Sequence, residues 1–383
     1  MRFEFATTGR ILFGPGVVAE LPALASSLGR SAFLVTDSLT RSAGLLAGLQ
    51  AHGLPVTAFQ VDHEPDVALV LRAVQDFKAA GCDLAIGIGG GAVIDTGKAV
   101  AALAVNPHEP RHYLEVVGAG QPLERPSLPY IAIPTTAGTG AEVTRNAVLA
   151  VPEQRLKVSL RSPYLLPRLA VIDPELTLSL PPAITASTGM DALTQVLEPF
   201  VCNTPNPLTD ALCRHALARV GHALRRAYDS GADLPARETM ALVSLYGGLA
   251  LANARLGAVH GLAAPLGGMY PAPHGAVCAR LLPLAMRANI HALRTRQPGS
   301  PALARYAEAA RLLTTDPDAS PEDGAAYVEA LCRDLNIRPL AEFGLQPHEF
   351  PLLVQQAQRA SSMKGNPLPL TDAELTSILS TAM

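Results

Sequence analysis

The run Ala85-Ile86-Gly87-Ile88-Gly89-Gly90-Gly91-Ala92-Val93-Ile94-Asp95-Thr96-Gly97-Lys98 constrains the fold more than any other segment of this chain. An apolar strand pattern enters three consecutive glycines, and a helical pattern carrying Asp95 and Lys98 follows. Glycines at a strand-to-helix turn let the backbone approach a bulky anion. The helix N-terminus behind them offers unbonded N–H groups at the positive end of its dipole. The run is neither the spaced Gly-x-Gly-x-x-Gly pattern nor a Walker loop, which needs Gly-Lys-Ser/Thr. It reads as a diphosphate-binding turn of an α/β domain, with a tight ligand-free turn as the alternative.

A chain of 383 residues is long for one domain, and two are expected. Up to residue 177, short apolar runs alternate with helical patterns. Residues 31–36, 55–61, 83–88, 130–133 and 169–172 read as buried strands, and residues 66–80 and 93–104 as crossover helices, the pattern of a largely parallel sheet. From Pro182 onward the periodicity is helical: residues 183–200, 207–227, 235–254, 275–290, 302–313, 321–335 and 349–361. The expected architecture is an α/β domain over residues 1–180 and an all-α domain over residues 181–383, with a ligand cleft between them.

Composition excludes several classes. The net charge is −3 and no long basic run occurs, so a nucleic-acid partner has no electrostatic basis. No segment reaches the roughly 20 uninterrupted apolar residues of a membrane span, and Met1–Phe5 lacks the pattern of a signal peptide. Five scattered cysteines (Cys82, Cys202, Cys213, Cys278, Cys332) form no paired motif, which suits a reducing cytoplasm.

Two further constellations carry chemistry. In Ile133-Pro134-Thr135-Thr136-Ala137-Gly138-Thr139-Gly140 a strand ends in a loop of hydroxyls and glycines. Thr135, Thr136 and Thr139 can donate to phosphate or ribose oxygens, or can satisfy one another in a plain surface loop. Asp37 follows an early strand, where an acid can bond both ribose hydroxyls of an adenosine or can cap the next helix. Asp191, His260 and His274 make one carboxylate and two imidazoles, a set that suits a divalent metal with an open position, although isolated histidines are more often structural. Gln195 lies one turn after Asp191 on the same helical face.

Taken together, these stretches resemble the iron-containing (group III) alcohol dehydrogenase family, within the superfamily that includes dehydroquinate synthase. The resemblance runs from Ile11-Leu12-Phe13-Gly14-Pro15-Gly16 through Gly89–Lys98, Pro134–Thr144, Asp173–Leu178, Thr188–Thr194 and Val259–Gly275 to Gly365-Asn366-Pro367. It implies a Rossmann-like N-terminal domain and an all-α C-terminal domain. It also implies reversible hydride transfer between NAD(P) and a small alcohol, aldehyde or ketone, with a divalent iron or zinc ion polarising the carbonyl. By that resemblance Gly89, Gly90, Gly91, Asp95, Thr135, Thr136, Thr139 and Lys157 contact the cofactor, and Asp37 favours NAD(H) over NADP(H). Asp191, His260 and His274 hold the metal, and a homodimer acting on a small-molecule substrate is expected.

Two departures stand out. Relatives carry a fourth histidine ligand where this chain has Gln195, so Gln195 is expected to be a weak fourth ligand or a hydrogen-bond donor to substrate. Relatives also carry a relay histidine where this chain has Ala264. The alternative reading is an oxo-acid reductase like maleylacetate reductase, with relaxed metal dependence. Arg145, Arg255 or Lys364 would then face the substrate's negative charge.

Overall fold

The computed structural model describes residues 2–383, in two compact units. The α/β unit spans Thr7–Thr136 and Gly140–Thr177. The helical unit comprises residues 2–6, Ala137–Thr139 and Leu178–Met383.

The α/β unit contains β1 (Ile11–Phe13), α1 (Leu21–Ser26), β2 (Ala32–Thr36), α2 (Leu39–Ala51), β3 (Val56–Gln60), α3 (Val67–Ala79), β4 (Leu84–Gly89), α4 (Gly91–Leu103), α5 (Pro110–Tyr113), β5 (Tyr130–Pro134), β6 (Asn146–Val151), β7 (Leu156–Arg161) and β8 (Leu169–Ile172). Six strands form one all-parallel sheet in the order β1-β8-β5-β4-β2-β3. Its central strands are buried on both faces. Phe33, Val35 and Ala85 enter one core while Leu34, Leu84 and Ile86 enter the other, which is why β2, β4 and β5 read as unbroken apolar runs. The chain steps outward from β2 to β3, returns to β4 on the other side of β2, and continues to β5. The order therefore reverses between β2 and β4. In open α/β sheets ligands bind outside the carboxyl ends of strands at such a point.

The pair β6–β7 is an antiparallel ribbon that sequence periodicity left unassigned. Alternation along β6 is clear in the structure, with Ala147, Leu149 and Val151 buried. Two side chains of α4, the half-buried Asp95 and the buried Lys98, fix the ribbon. Asp95 accepts from the Val148 N–H at 3.0 Å, and the Lys98 ammonium donates to the Asn146 carbonyl at 2.7 Å.

The helical unit is built from α6 (Pro182–Val201), α7 (Pro207–Asp229), α8 (Leu234–Asn253), α9 (Ala258–Met269), α10 (His274–Arg296), α11 (Pro301–Thr314), α12 (Pro321–Asp334), α13 (Phe350–Arg359) and α14 (Asp372–Ala382). Helix α6 is its axis. It is buried along most of its length and packs on α7, α8 and α10. A helix that is apolar all round belongs inside a core. Its polar residues Asp191, Gln195 and Glu198 are therefore exceptions that need partners. Helix α9 was read only as part of a motif, because Gly261, Pro265, Gly267 and Gly268 interrupt helical propensity there. Among the described residues no single helix is long and apolar enough to cross a membrane.

Candidate functional site

In the helical unit, one face of α6 carries Asp191, Gln195 and Glu198, spaced four and three residues apart. Asp191 is 1% exposed, and its Oδ1 atom has no hydrogen-bond partner. Leaving a buried carboxylate oxygen unsatisfied costs ~1–3 kcal/mol or more, so the atom requires a cation or a proton donor.

Two imidazoles face it. His260 lies in the first turn of α9 and is buried. Its Nδ1 donates to Glu198 Oε2 at 2.6 Å, which leaves the Nε2 lone pair 3.5 Å from Asp191 Oδ1. The other Glu198 oxygen accepts from the Val259 N–H at 2.7 Å, so one carboxylate fixes both the backbone and the ring of this turn. His274 opens α10, and its Nε2 lies 3.8 Å from the same Asp191 oxygen. Cys278 follows one turn later on α10. Its Sγ is 3.6 Å from His274 Nε2 and 4.0 Å from His260 Nε2. These four residues present ligand atoms that all lie within 4.8 Å of one another.

Local backbone explains why the elements close so tightly. A Cβ on Gly275 would sit 2.4 Å from the Ser187 carbonyl, so only glycine lets the start of α10 approach α6 at this level. A Cβ on Gly257 would sit 2.9 Å from Glu198 Oε1. Asn366, from the Gly365-Asn366-Pro367 motif, accepts from the Ala258 N–H and exchanges hydrogen bonds with Asn289, anchoring the start of α9.

The electrostatics favour a cation. Burial would raise the Asp191 pKa, but His274 and His260 pull it below the usual carboxylate value. Burial would lower the His260 pKa, yet Cys278, Asp191 and Glu198 raise it well above normal. The pocket thus draws positive charge to the imidazoles, and protons compete with metal for the same lone pairs. An ionised carboxylate, two imidazoles and a thiol around one point are the donor types of a transition-metal site.

Gln195 is held in place. Its Nε2 donates to the Gly138 carbonyl at 3.0 Å, and its Oε1 is buried without a partner. One of its two amide N–H groups is therefore engaged, which fixes the orientation of the side chain. Two functional side chains escaped sequence reasoning. Cys278 had been counted only as an unpaired cysteine, although it stands four residues after His274. Glu198 stands seven residues after Asp191. Both spacings signal a shared helix face.

In the α/β unit, the carboxyl edge of the sheet collects most of the expected cofactor residues. Strand registers place Thr36 beside Ile88 and Gly89 beside Pro134. Asp37, Gly90 and Thr135 consequently leave adjacent strand ends at the reversal of strand order. Gly90 is the N-cap of α4 and has no side-chain cap, so the first N–H groups of α4 receive none from it. A Cβ on Gly89 would meet Val93 at 2.5 Å, whereas one on Gly90 would touch only Thr136 at 3.6 Å. Gly89 is therefore required by packing, and Gly90 by nothing within the unit.

Asp37 pairs with Arg41 at 2.8 Å, and Ser38, not Asp37, caps α2. The remaining residues of that group are Asp95, Lys157 and Thr139. Asp95 gives one oxygen to Lys98 at 3.3 Å and the other to the Val148 N–H, so it serves the β6–β7 ribbon. Lys157 lies on that ribbon and pairs with Glu64 at 3.2 Å. Thr139 falls in the segment that groups with the helical unit.

The chain is similar to known proteins along nearly its whole length. Residues 8–174 match the family model described as iron-containing alcohol dehydrogenase, and residues 185–383 match that of the family's C-terminal domain. The chain is 35% identical to lactaldehyde reductase of Escherichia coli (strain K12), over 97% of either chain. The solved structure of a 1,3-propanediol oxidoreductase superposes with a TM-score of 0.91 at 32% identity, covering 100% of both chains. That of sulfoacetaldehyde reductase from Bifidobacterium kashiwanohense in complex with NAD+ superposes with a TM-score of 0.87 at 28% identity, covering 99% of this chain and 98% of the other.

Proposed function

This chain belongs to the iron-containing alcohol dehydrogenase family, and on that premise we propose that it interconverts a short-chain aldehyde or ketone and its alcohol, with NAD(H) as hydride carrier and a divalent metal at Asp191, His260 and His274. The observation that carries the reading is the buried, unpartnered Asp191 Oδ1 facing two imidazole Nε2 atoms. The names of the three relatives above share a two- or three-carbon aldehyde or alcohol, which supports a short substrate here.

The residues divide the work as follows. The N–H groups at the start of α4 bind the diphosphate, and Gly90 keeps that approach open. Thr135 and Thr136 supply hydroxyl donors beside it. Asp37 accepts from the adenosine ribose hydroxyls and repels a 2′-phosphate, which favours NAD(H) over NADP(H). Asp191, His260 and His274 hold the ion, with Glu198 fixing the His260 tautomer. A divalent ion there supplies Lewis acidity, polarising the carbonyl oxygen and stabilising the alkoxide that forms as hydride arrives. In the absence of a histidine at Ala264, the alkoxide takes up its proton from water or by way of the cofactor ribose, and the alcohol releases it by the same route in the reverse direction. The five free, buried cysteines fit a cytoplasmic setting, and the family resemblance supports a homodimer.

The test combines metal content with turnover. Protein purified without a metal-binding tag is expected to carry near-stoichiometric zinc or iron, which Asp191→Ala removes. NADH should be consumed with short aldehydes in proportion to the metal present. A metal-free wild-type protein that turns over at full rate would overturn the reading.

A further inference from the structure

Three protein ligands leave the first coordination shell of this centre open on one side, and the two side chains beside it differ sharply as donors. Gln195 has its amide nitrogen on the Gly138 carbonyl and offers only a neutral oxygen. Cys278 is fully buried, with its sulfur between the two imidazoles. Resting on the metal reading above, we infer that the Cys278 thiolate is the fourth protein ligand, giving an Asp-His-His-Cys set that suits zinc, to which a substrate oxygen would add as a fifth ligand.

Three arguments carry this assignment. The first is shape. A tetrahedral zinc site with bonds of ~2.0–2.3 Å has ligand-to-ligand edges of about 3.3–3.6 Å. The edges here are 3.5 Å and 3.8 Å from Asp191 Oδ1 to His260 and His274 Nε2. Those from Cys278 Sγ are 3.6 Å to His274 and 4.0 Å to His260. These four edges need contract by only a few tenths of an ångström about a central ion, and the ligand atoms all lie within 4.8 Å of one another.

The second is charge. Asp191 and a Cys278 thiolate together match the charge of a divalent ion within the ligand set itself, with the Glu198 carboxylate standing behind His260. With Gln195 in place of Cys278 the ligand set would keep one positive charge, balanced only at a distance by Glu198, and a charge is best offset by direct contact when buried. The third is rigidity. His274 and Cys278 are one turn apart on α10, so both ligands are placed by a single helix whose start is locked against α6 by Gly275. On binding, the thiol releases its proton to solvent and sulfur donates an electron pair to the ion, so the step is not redox.

Cobalt(II) is the probe, because a thiolate ligand gives it an intense near-ultraviolet charge-transfer band that nitrogen and oxygen ligands do not. The cobalt-loaded wild-type protein should show this band. Cys332→Ser, which alters a buried cysteine outside the cluster, should keep it, and Cys278→Ser should lose it while still binding cobalt. Zinc affinity, measured by chelator competition, should weaken in Cys278→Ser by more than the ~10-fold typical of losing a supporting partner. Melting of the metal-free proteins shows whether Cys278→Ser folds, and the wild-type band is informative without it. Cobalt bound through Asp191 without the band, or a band that survives Cys278→Ser, overturns the assignment and leaves the metal centre standing. So does zinc affinity lost in Gln195→Ala and unchanged in Cys278→Ser. A wild-type protein that binds neither ion overturns the metal centre, and the thiolate ligand with it.

Discussion

Glu198 accepts a 2.6 Å hydrogen bond from His260 Nδ1, and with its other oxygen holds the backbone of the same helical turn at Val259. The bond fixes the His260 tautomer, so that Nε2 presents a lone pair to Asp191 Oδ1. Supporting partners of this kind typically contribute 10–100-fold in metal affinity.

Removing this support should therefore show in binding before it shows in structure. Glu198→Gln keeps an acceptor oxygen but loses the charge that makes His260 a stronger ligand. Its zinc affinity is expected to fall by about 10-fold, and that of Glu198→Ala by about 100-fold. Competition with a calibrated chelator measures both. Equal affinities in wild type and Glu198→Ala would show that the carboxylate only packs the turn.

Gly275 makes a separate prediction, because it limits how closely α10 approaches α6. A methyl group there would sit 2.4 Å from the Ser187 carbonyl, so the helix start must move away, carrying His274 and Cys278 with it. Gly275→Ala is expected to cost ~1–3 kcal/mol of stability. It should also weaken metal binding beyond what an equally destabilising substitution far from the site produces. Loss of stability with unchanged zinc affinity would separate helix packing from ligand placement.

At the sheet edge, adjacent glycines have opposite roles. Gly89→Ala meets Val93 at 2.5 Å, so it should destabilise the α/β unit by ~1–3 kcal/mol. Gly90 has extended backbone, and a methyl group there touches only Thr136 at 3.6 Å. Gly90→Ala should melt within ~0.5 kcal/mol of wild type. It should nonetheless bind NADH about 10-fold or more weakly, by filling the space a diphosphate needs. Calorimetric titration with NADH decides, and undiminished affinity in Gly90→Ala would move the cofactor away from this turn.

The pairing of Asp37 with Arg41 makes cofactor choice testable. Asp37→Ser removes the acid that would repel a 2′-phosphate and leaves Arg41 without its partner. The ratio of kcat/KM for NADH to that for NADPH is expected to drop by at least about 10-fold, or ~1.4 kcal/mol. An unchanged ratio would mean that Asp37 does not face the ribose.

What the sequence made legible and what it hid have physical causes. The parallel strands were readable because burial on both faces removes polar residues from them, as along Ala32–Thr36 and Leu84–Gly89. The β6–β7 ribbon was not, because it is held by two charged side chains of α4 that local patterning cannot anticipate. Asp191, His260 and His274 stood out by residue type. Cys278 did not, since a buried cysteine behaves as a small apolar residue until the fold brings imidazoles to it. Asp95 and Lys157 are cofactor residues by the family resemblance, and the structure adds what local sequence cannot show, their pairing with Lys98 and Glu64.

A last prediction concerns pH and Glu142, whose carboxyl is 2% exposed beside the equally buried Lys98. Burial raises the Glu142 pKa from 4.5 to about 7, against the opposing pull of a backbone hydrogen bond and the Lys98 charge. The sign follows from proton counting. Between these two values the folded protein holds a proton on Glu142 that the unfolded chain has released. Stability from this group is therefore full below the unfolded value, falls as pH rises, and is lost once pH passes the folded value. The span corresponds to a loss on the order of 3 kcal/mol. Glu142→Gln keeps the neutral shape and cannot ionise, so its stability should be flatter with pH. Denaturant unfolding at about pH 5 and about pH 8 should show the difference between wild type and variant shifting in favour of the variant at the higher pH. Parallel changes in the two proteins would mean that Glu142 is ionised throughout, with Lys98 compensating it fully in the folded state.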